Sequence, residues 1–219
     1  MKFVGIPTHP YPADGIIYHQ VDERLIQAIE NVGLSPVLIP MTELPNLSDY
    51  FTRLDGLILA GRTSVSPFYY GEEPSQSTGQ LNLALDQFEL TLIKEAIGTL
   101  PILGIERGCH LLNVAFGGTL APVDSKVIHH GSGNHYHSLN LRKRSQLHEL
   151  YGSRMIVLSR HSERIGELAT KLQSSAKSVD GVIEAFEHPS LPIIGVQFPL
   201  QEMSEFMCSL LLQTFSELK

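Results

Sequence analysis

The sequence predicts a single α/β domain: an open, mostly parallel sheet with helices on both faces and a pocket at the C-terminal ends of the strands. Three observations predict it. Short β-rich runs alternate with helical patterns through the first half of the chain, which is the signature of βαβ units. One strand, residues 100–105, passes into a helical run, residues 107–116, with only Glu106 between them. At 219 residues, 42% hydrophobic and 18% charged, the chain can bury one sizeable core, and no linker, internal repeat or low-complexity tract divides residues 1–219.

Taken in order, residues 2–6 read as the first strand. Val21, Leu25, Ile26, Ile29 and Val32 recur at helical spacing, and Gly33 follows where a left-handed residue ends a helix. Residues 36–39 are the next strand, 47–54 a short helix, and 56–59 a buried third strand ending at Ala60-Gly61. Residues 61–80, rich in Gly, Pro and Ser, are expected to form a long surface excursion. Leu85, Phe88, Leu92, Ala96 and Ile97 share one face of a helix over 83–97. The strand and helix flanking Glu106 follow, closed by Gly117-Gly118. In the second half, residues 138–141, 155–158, 172–178, 182–186 and 193–197 read as strands, with Asp180-Gly181 as a hairpin turn. Phe206, Met207, Leu210, Leu211, Phe215 and Leu218 form the stripe of a C-terminal helix.

Composition excludes several functions. Sixteen Lys+Arg against 23 Asp+Glu give a formal charge of -7, so neither nucleic acid nor an anionic membrane is an expected partner. Cys109 and Cys208 are too few for a disulfide framework. The apolar run before Pro7 is too short for a signal peptide and no stretch matches a membrane span, so the reducing cytoplasm is the expected compartment. His129, His130, His135 and His137 crowd one segment, but no Cys or Asp/Glu ligand pattern accompanies them; no metal and no cofactor are expected. Arg142-Lys143-Arg144 reads as a solvated loop or helix start.

The sharp turn at Glu106 is the geometry of a nucleophile elbow, which exposes a side chain above the sheet beside free helix N–H groups. Residues 101–120, PILGIERGCHLLNVAFGGTL, resemble the elbow of the class I glutamine amidotransferase-like proteins, closest to their γ-glutamyl-γ-aminobutyrate hydrolase branch. Three further stretches fall in the same order as in that family. Asp55-Gly56-Leu57-Ile58-Leu59-Ala60-Gly61, with Pro67 and Tyr70-Gly71-Glu72-Glu73-Pro74, resembles its glycine loop. Asp180-Gly181-Val182-Ile183-Glu184-Ala185 resembles its late hairpin, and Gly195-Val196-Gln197 the strand leading to its histidine. The resemblance implies a flavodoxin-like sheet and cleavage of γ-glutamyl amides by a Cys-His-Glu triad with a backbone oxyanion hole. A thiolate at a helix N-terminus attacks, a histidine moves the proton, and a carboxylate orients the histidine.

Against that pattern the working positions are replaced. Glu106 stands at the family's elbow cysteine, Pro199 at its histidine and Gln201 at its glutamate, while its glycine pair reads Gly61-Arg62. Two function classes follow. In the first, the chain is inert in γ-glutamyl amide hydrolysis and binds a small glutamyl-like ligand or a partner protein, with self-association left open. Gly61, Arg62, Arg107 and Gly108 are then the candidate ligand-contacting residues, and an Arg62–Glu106 ion pair is expected to plug the pocket. In the second, the chain is a hydrolase of altered chemistry using Glu106 as a carboxylate nucleophile and His161, within Ser159-Arg160-His161-Ser162-Glu163, as base. Cys109, one helical turn past the elbow, is expected to pack in the core.

Overall fold

The first apolar run forms β1 (Lys2–Pro7), and the chain then turns out into a ribbon of β2 (His9–Ala13) and β3 (Ile16–Gln20). The computed structural model describes residues 1–41, 47–76, 78–123 and 135–218. The ribbon turns at Asp14 and Gly15, both with positive φ (51° and 76°), the backbone that matches the twist of a two-residue hairpin. α1 (Glu23–Asn31) is capped by Asp22, whose side chain accepts from Arg24 N at 3.0 Å, and buries Leu25 and Ile29. Gly33 takes the left-handed conformation expected of it (φ 77°).

β4 (Leu34–Ile39), α2 (Leu47–Phe51), β5 (Gly56–Leu59), α3 (Leu83–Ala96), β6 (Ile102–Ile105) and α4 (Arg107–Ala115) complete the first half. β7 (Leu120–Pro122), β8 (His135–Leu141), α5 (Gln146–Tyr151), β9 (Arg154–Ser159), β10 (Glu163–Ile165), β11 (Gln173–Ser178), β12 (Ile183–Glu187), β13 (Ile193–Val196) and α6 (Glu205–Glu217) follow. Nine strands make one sheet in the order β4-β1-β5-β6-β13-β12-β11-β8-β9. The pairs from β4 through to β13 are parallel, and the pairs from β13 to β9 antiparallel; only β12 and β8 run against the rest. The sheet is thus mixed and mostly parallel.

Two cores cover its faces. α1, α5 and α6 bury Leu25, Ile29, Leu147, Leu211 and Phe215 on one side; α3 and α4 bury Leu85, Leu92, Leu111 and Leu112 on the other. Among the described residues no helix is long and apolar enough to cross a membrane.

The segment 61–80 departs from the surface excursion its composition suggests. Val65 and Ser66 are fully buried. Ser66 N donates to Asp86 Oδ2 at 3.0 Å, and Ser64 Oγ donates to Glu163 while accepting from Gly79 N at 2.8 Å. A polar strap can lie inside when neighbouring side chains satisfy its backbone groups, and a composition reading does not see those partners. The basic run 142–144 lies in the turn just before α5.

Candidate functional site

The site grows from the junction of β6 and α4. Glu106 bridges them with φ 52° and ψ −113°, a backbone region that costs a residue with a Cβ about 1–3 kcal/mol. It is held there by Glu106 N donating to Val196 O at 2.9 Å. Gly108 makes the tight turn feasible, because a side chain at its α-carbon would run into the Leu59 backbone on β5. The N–H of Arg107, the donor an elbow offers to an oxyanion, goes to Gly61 O at 3.2 Å. Cys109 lies wholly in the core and burial pushes its thiol well above the usual range, so it packs rather than reacts.

The Glu106 side chain makes no capping bond to its own helix and meets polar and charged side chains from elsewhere in the fold. Gln201 Nε2 donates to Glu106 Oε2 at 3.2 Å, Arg160 Nε lies 3.7 Å from Oε1, and Arg62 Nε lies 4.0 Å from Oε2. Burial pushes the Glu106 carboxyl above its usual value, although the Gln201 bond and the two guanidiniums pull it back. Arg62 has a closer partner: its Nη2 is 2.8 Å from Glu202 Oε1. Arg24 and Arg160 meet that same oxygen, and Asp22 joins through Arg24 (2.8 Å) and Arg62 (3.5 Å). For Glu202 burial pushes upward too, but Arg160, Arg24 and Arg62 outweigh it and hold the carboxyl below its usual range.

On the other side of the elbow, Arg107 enters a dry pair of carboxylates. Its guanidinium contacts both Asp86 and Glu89, and its Nε donates to Thr63 Oγ1 at 3.0 Å. His9 Nε2 closes the group 3.2 Å from Glu89 Oε1. Burial pushes both acids upward; for Asp86 it prevails over Arg107, whereas Arg107 and His9 prevail at Glu89 and leave it below its usual value.

Between the two charge groups lies a cavity of about 150 Å³ bounded by Gly61, Arg62, Glu106, Arg160 and His161. His161 Nδ1 donates to Glu163 O at 2.9 Å and Nε2 lies 3.5 Å from Glu184 Oε1. Burial alone would lower this imidazole, yet Glu184, the Glu163 carbonyl and Glu106 together raise it. His110, edge-on to His161 at 6.4 Å, bonds Gln197 Oε1 at 2.7 Å. Burial first, and then the His161 charge, bring His110 down to about 4.

Of the residues singled out in the sequence, Gly61, Arg62, Glu106, Arg107 and His161 line this cavity. Gln201 reaches it through Glu106. Pro199 is buried at the start of the short turn Leu200–Glu202, and Gly108 packs against β5 instead of facing the cavity. His137 is buried on β8 and feels the charges of Glu184 and His161; His129 and His130 lie outside the described residues. Asp22, Arg24 and Glu202 carry no local motif in the sequence, and Glu184 was marked only as part of the late hairpin; the fold alone brings them here.

Sheet order, elbow and a pocket above the parallel strands define a class I glutamine amidotransferase-like protein. A glutamine amidotransferase from Thermotoga maritima has the same fold, with a TM-score of 0.65 at 15% identity over 99% of this chain and 90% of that one. The chain belongs to the peptidase C26 family, whose model matches residues 3–199. It is 33% identical over 185 residues to the glutamine amidotransferase-like protein YvdE of Lactococcus lactis, covering 80% of this chain and 78% of that protein. Protein NtpR of Enterococcus hirae is 31% identical over 188 residues, 80% of this chain and 79% of its own.

Proposed function

We propose that this family member is inert toward γ-glutamyl amides and works by binding a small carboxylate-bearing ligand or a protein partner at the elbow. One observation carries the reading. The side chain presented by the elbow is a carboxylate already engaged by Gln201, Arg160 and Arg62, while the His161 imidazole in the same cavity pairs with Glu184. The chemistry of a γ-glutamyl hydrolase needs a thiolate there with a proton acceptor beside it, and Pro199 and Gln201 supply none. The Arg107 N–H, the donor an oxyanion would use, goes to Gly61 O at 3.2 Å, which supports the same reading.

The His161–Glu184 pair favours the second reading, a hydrolase in which Glu106 attacks the carbonyl carbon. The amine would leave with a proton from His161, and water deprotonated by His161 would open the anhydride. Ammonia or amine release from glutamine and γ-glutamyl amides decides between them. The native chain should release none above buffer; release that disappears in Glu106→Ala establishes the hydrolase and ends the binding-only reading.

A further inference from the structure

Three guanidiniums drawn from distant parts of the chain converge on a single oxygen. Arg62 Nη2 and Arg24 Nη2 lie 2.8 Å and 3.0 Å from Glu202 Oε1, and Arg160 Nη2 contacts it more closely still. They arrive from the first turn of α1, from the loop after β5 and from the loop after β9. Holding three cations together in this way requires an anion at the centre. Here that anion is an internal carboxylate on the short turn Leu200–Glu202.

Glu202 fills the centre only in part. Each guanidinium offers five N–H donors in a planar fork suited to several oxygens at once, whereas Glu202 gives all three cations one atom. Arg160 Nε is buried without a hydrogen-bond partner among the described residues, and so is Gln201 Oε1 on the neighbouring residue. Buried polar atoms left unsatisfied are costly, so an occupant with more oxygens gains contacts that Glu202 leaves unmade. The centre is also reachable. The side chains of Arg24 and Arg62 are 49% and 51% exposed, and Arg62 stands in the wall of both the small cavity and a neighbouring one of about 500 Å³ under the β2–β3 ribbon.

We infer that Arg24, Arg62 and Arg160 form a binding site for a multi-oxygen anion, a phosphate or polycarboxylate group, and that Glu202 is a built-in occupant which the ligand displaces. Glu202 and Gln201 share the short turn Leu200–Glu202, so on this reading a ligand that expels Glu202 also withdraws Gln201 from Glu106. Anion binding and release of the elbow carboxylate are then one event. The inference rests on reading the elbow as a binding site and names what that site takes.

Titrating inorganic phosphate and, separately, glutarate into the native chain and Glu202→Gln at fixed ionic strength tests it by calorimetry. The variant removes the competing charge and keeps the shape, so at least one probe should bind about tenfold tighter than to the native chain, and Arg160→Gln added to it should abolish the gain. Tightening by phosphate alone identifies a phosphate group as the ligand's anchor, and by glutarate alone a carboxylate. Equal affinities in Glu202→Gln and the native chain for both probes overturn the proposal. Should Glu202→Gln fail to fold, thermal melts of the native chain decide: either probe should raise the Tm, with the rise lost in Arg160→Gln, and a melt that neither probe moves overturns it. Ammonia release by the native chain would end the non-catalytic reading and leave this result standing, while untightened binding would end this inference and leave that reading intact.

Discussion

Glu106 and Arg107 are neighbours in sequence and sit in opposite electrostatic worlds. Arg107 and its partners Asp86 and Glu89 are at most 1% exposed, whereas Arg62, which faces Glu106, is 51% exposed. Ion pairs of similar chemistry therefore do different work. In the dry group, Arg107 neutralises carboxylates that have no water to turn to, and removing it strands buried charge. In the wet group the contacts of Arg24 and Arg62, about half exposed, compete with solvent and are worth little by themselves. The dry group fixes α4 against α3 and the strap 61–66; the wet group is arranged to exchange partners.

The largest expected effect lies in the dry group. Arg107→Met should cost about 3–5 kcal/mol in urea unfolding. Replacing Asp86 by Asn, which keeps an acceptor for the Ser66 N–H, and Glu89 by Leu in the same chain should recover much of that loss, and failure to recover any would mean that Arg107 contributes by something other than charge. Next comes a pH effect from His110. Its ring takes a proton near 6.5 when unfolded and only at about 4 when folded, so between those values acid favours the unfolded chain. Stability should fall by about 3 kcal/mol from pH 6.5 to 4 beyond the fall seen in His110→Gln, and parallel curves for the two chains would remove His110 from the account. In the wet group, Arg62→Ala should cost below about 1 kcal/mol and less in high salt; a loss as large as that of Arg107→Met would erase the contrast. The smallest effect is none: Glu106→Cys should not release ammonia from glutamine, because Pro199 accepts no proton, and turnover in that variant would show that His161 or His110 serves the thiol.

The elbow was readable because its signals are local: a strand, one residue, then a helix closed by glycines. The same holds for Asp180-Gly181, whose Gly181 takes φ 88°. The β2–β3 ribbon escaped a reading by pattern because Pro10 and Pro12 argue against a strand, although Asp14-Gly15 carried the turn signal. Prolines are tolerated there because the ribbon is a two-stranded sheet of its own. The expectation that Arg62 faces Glu106 came from the family pattern, but the meeting of Arg24, Arg62 and Arg160 at Glu202 had no such guide. Their contacts depend on the first turn of α1, the loops after β5 and β9 and the turn 200–202 reaching the same rim of the sheet, and no spacing along the chain encodes that. Glu184 was legible as a hairpin residue but not as the neighbour of His161, for the same reason.

Gly61 stands where the two charge groups touch. Its carbonyl receives the Arg107 N–H, its successor is Arg62, and its α-carbon, at φ 144°, lies under the His9 ring. A single methyl group at that carbon would overlap the ring, and His9 cannot yield without leaving Glu89 or dragging the ribbon that roofs the larger cavity. The residue acts as a steric relay. Tuning the pocket by giving Gly61 a side chain would therefore disturb the scaffold and the binding rim together, and changes confined to the rim have to be made one position later, at Arg62.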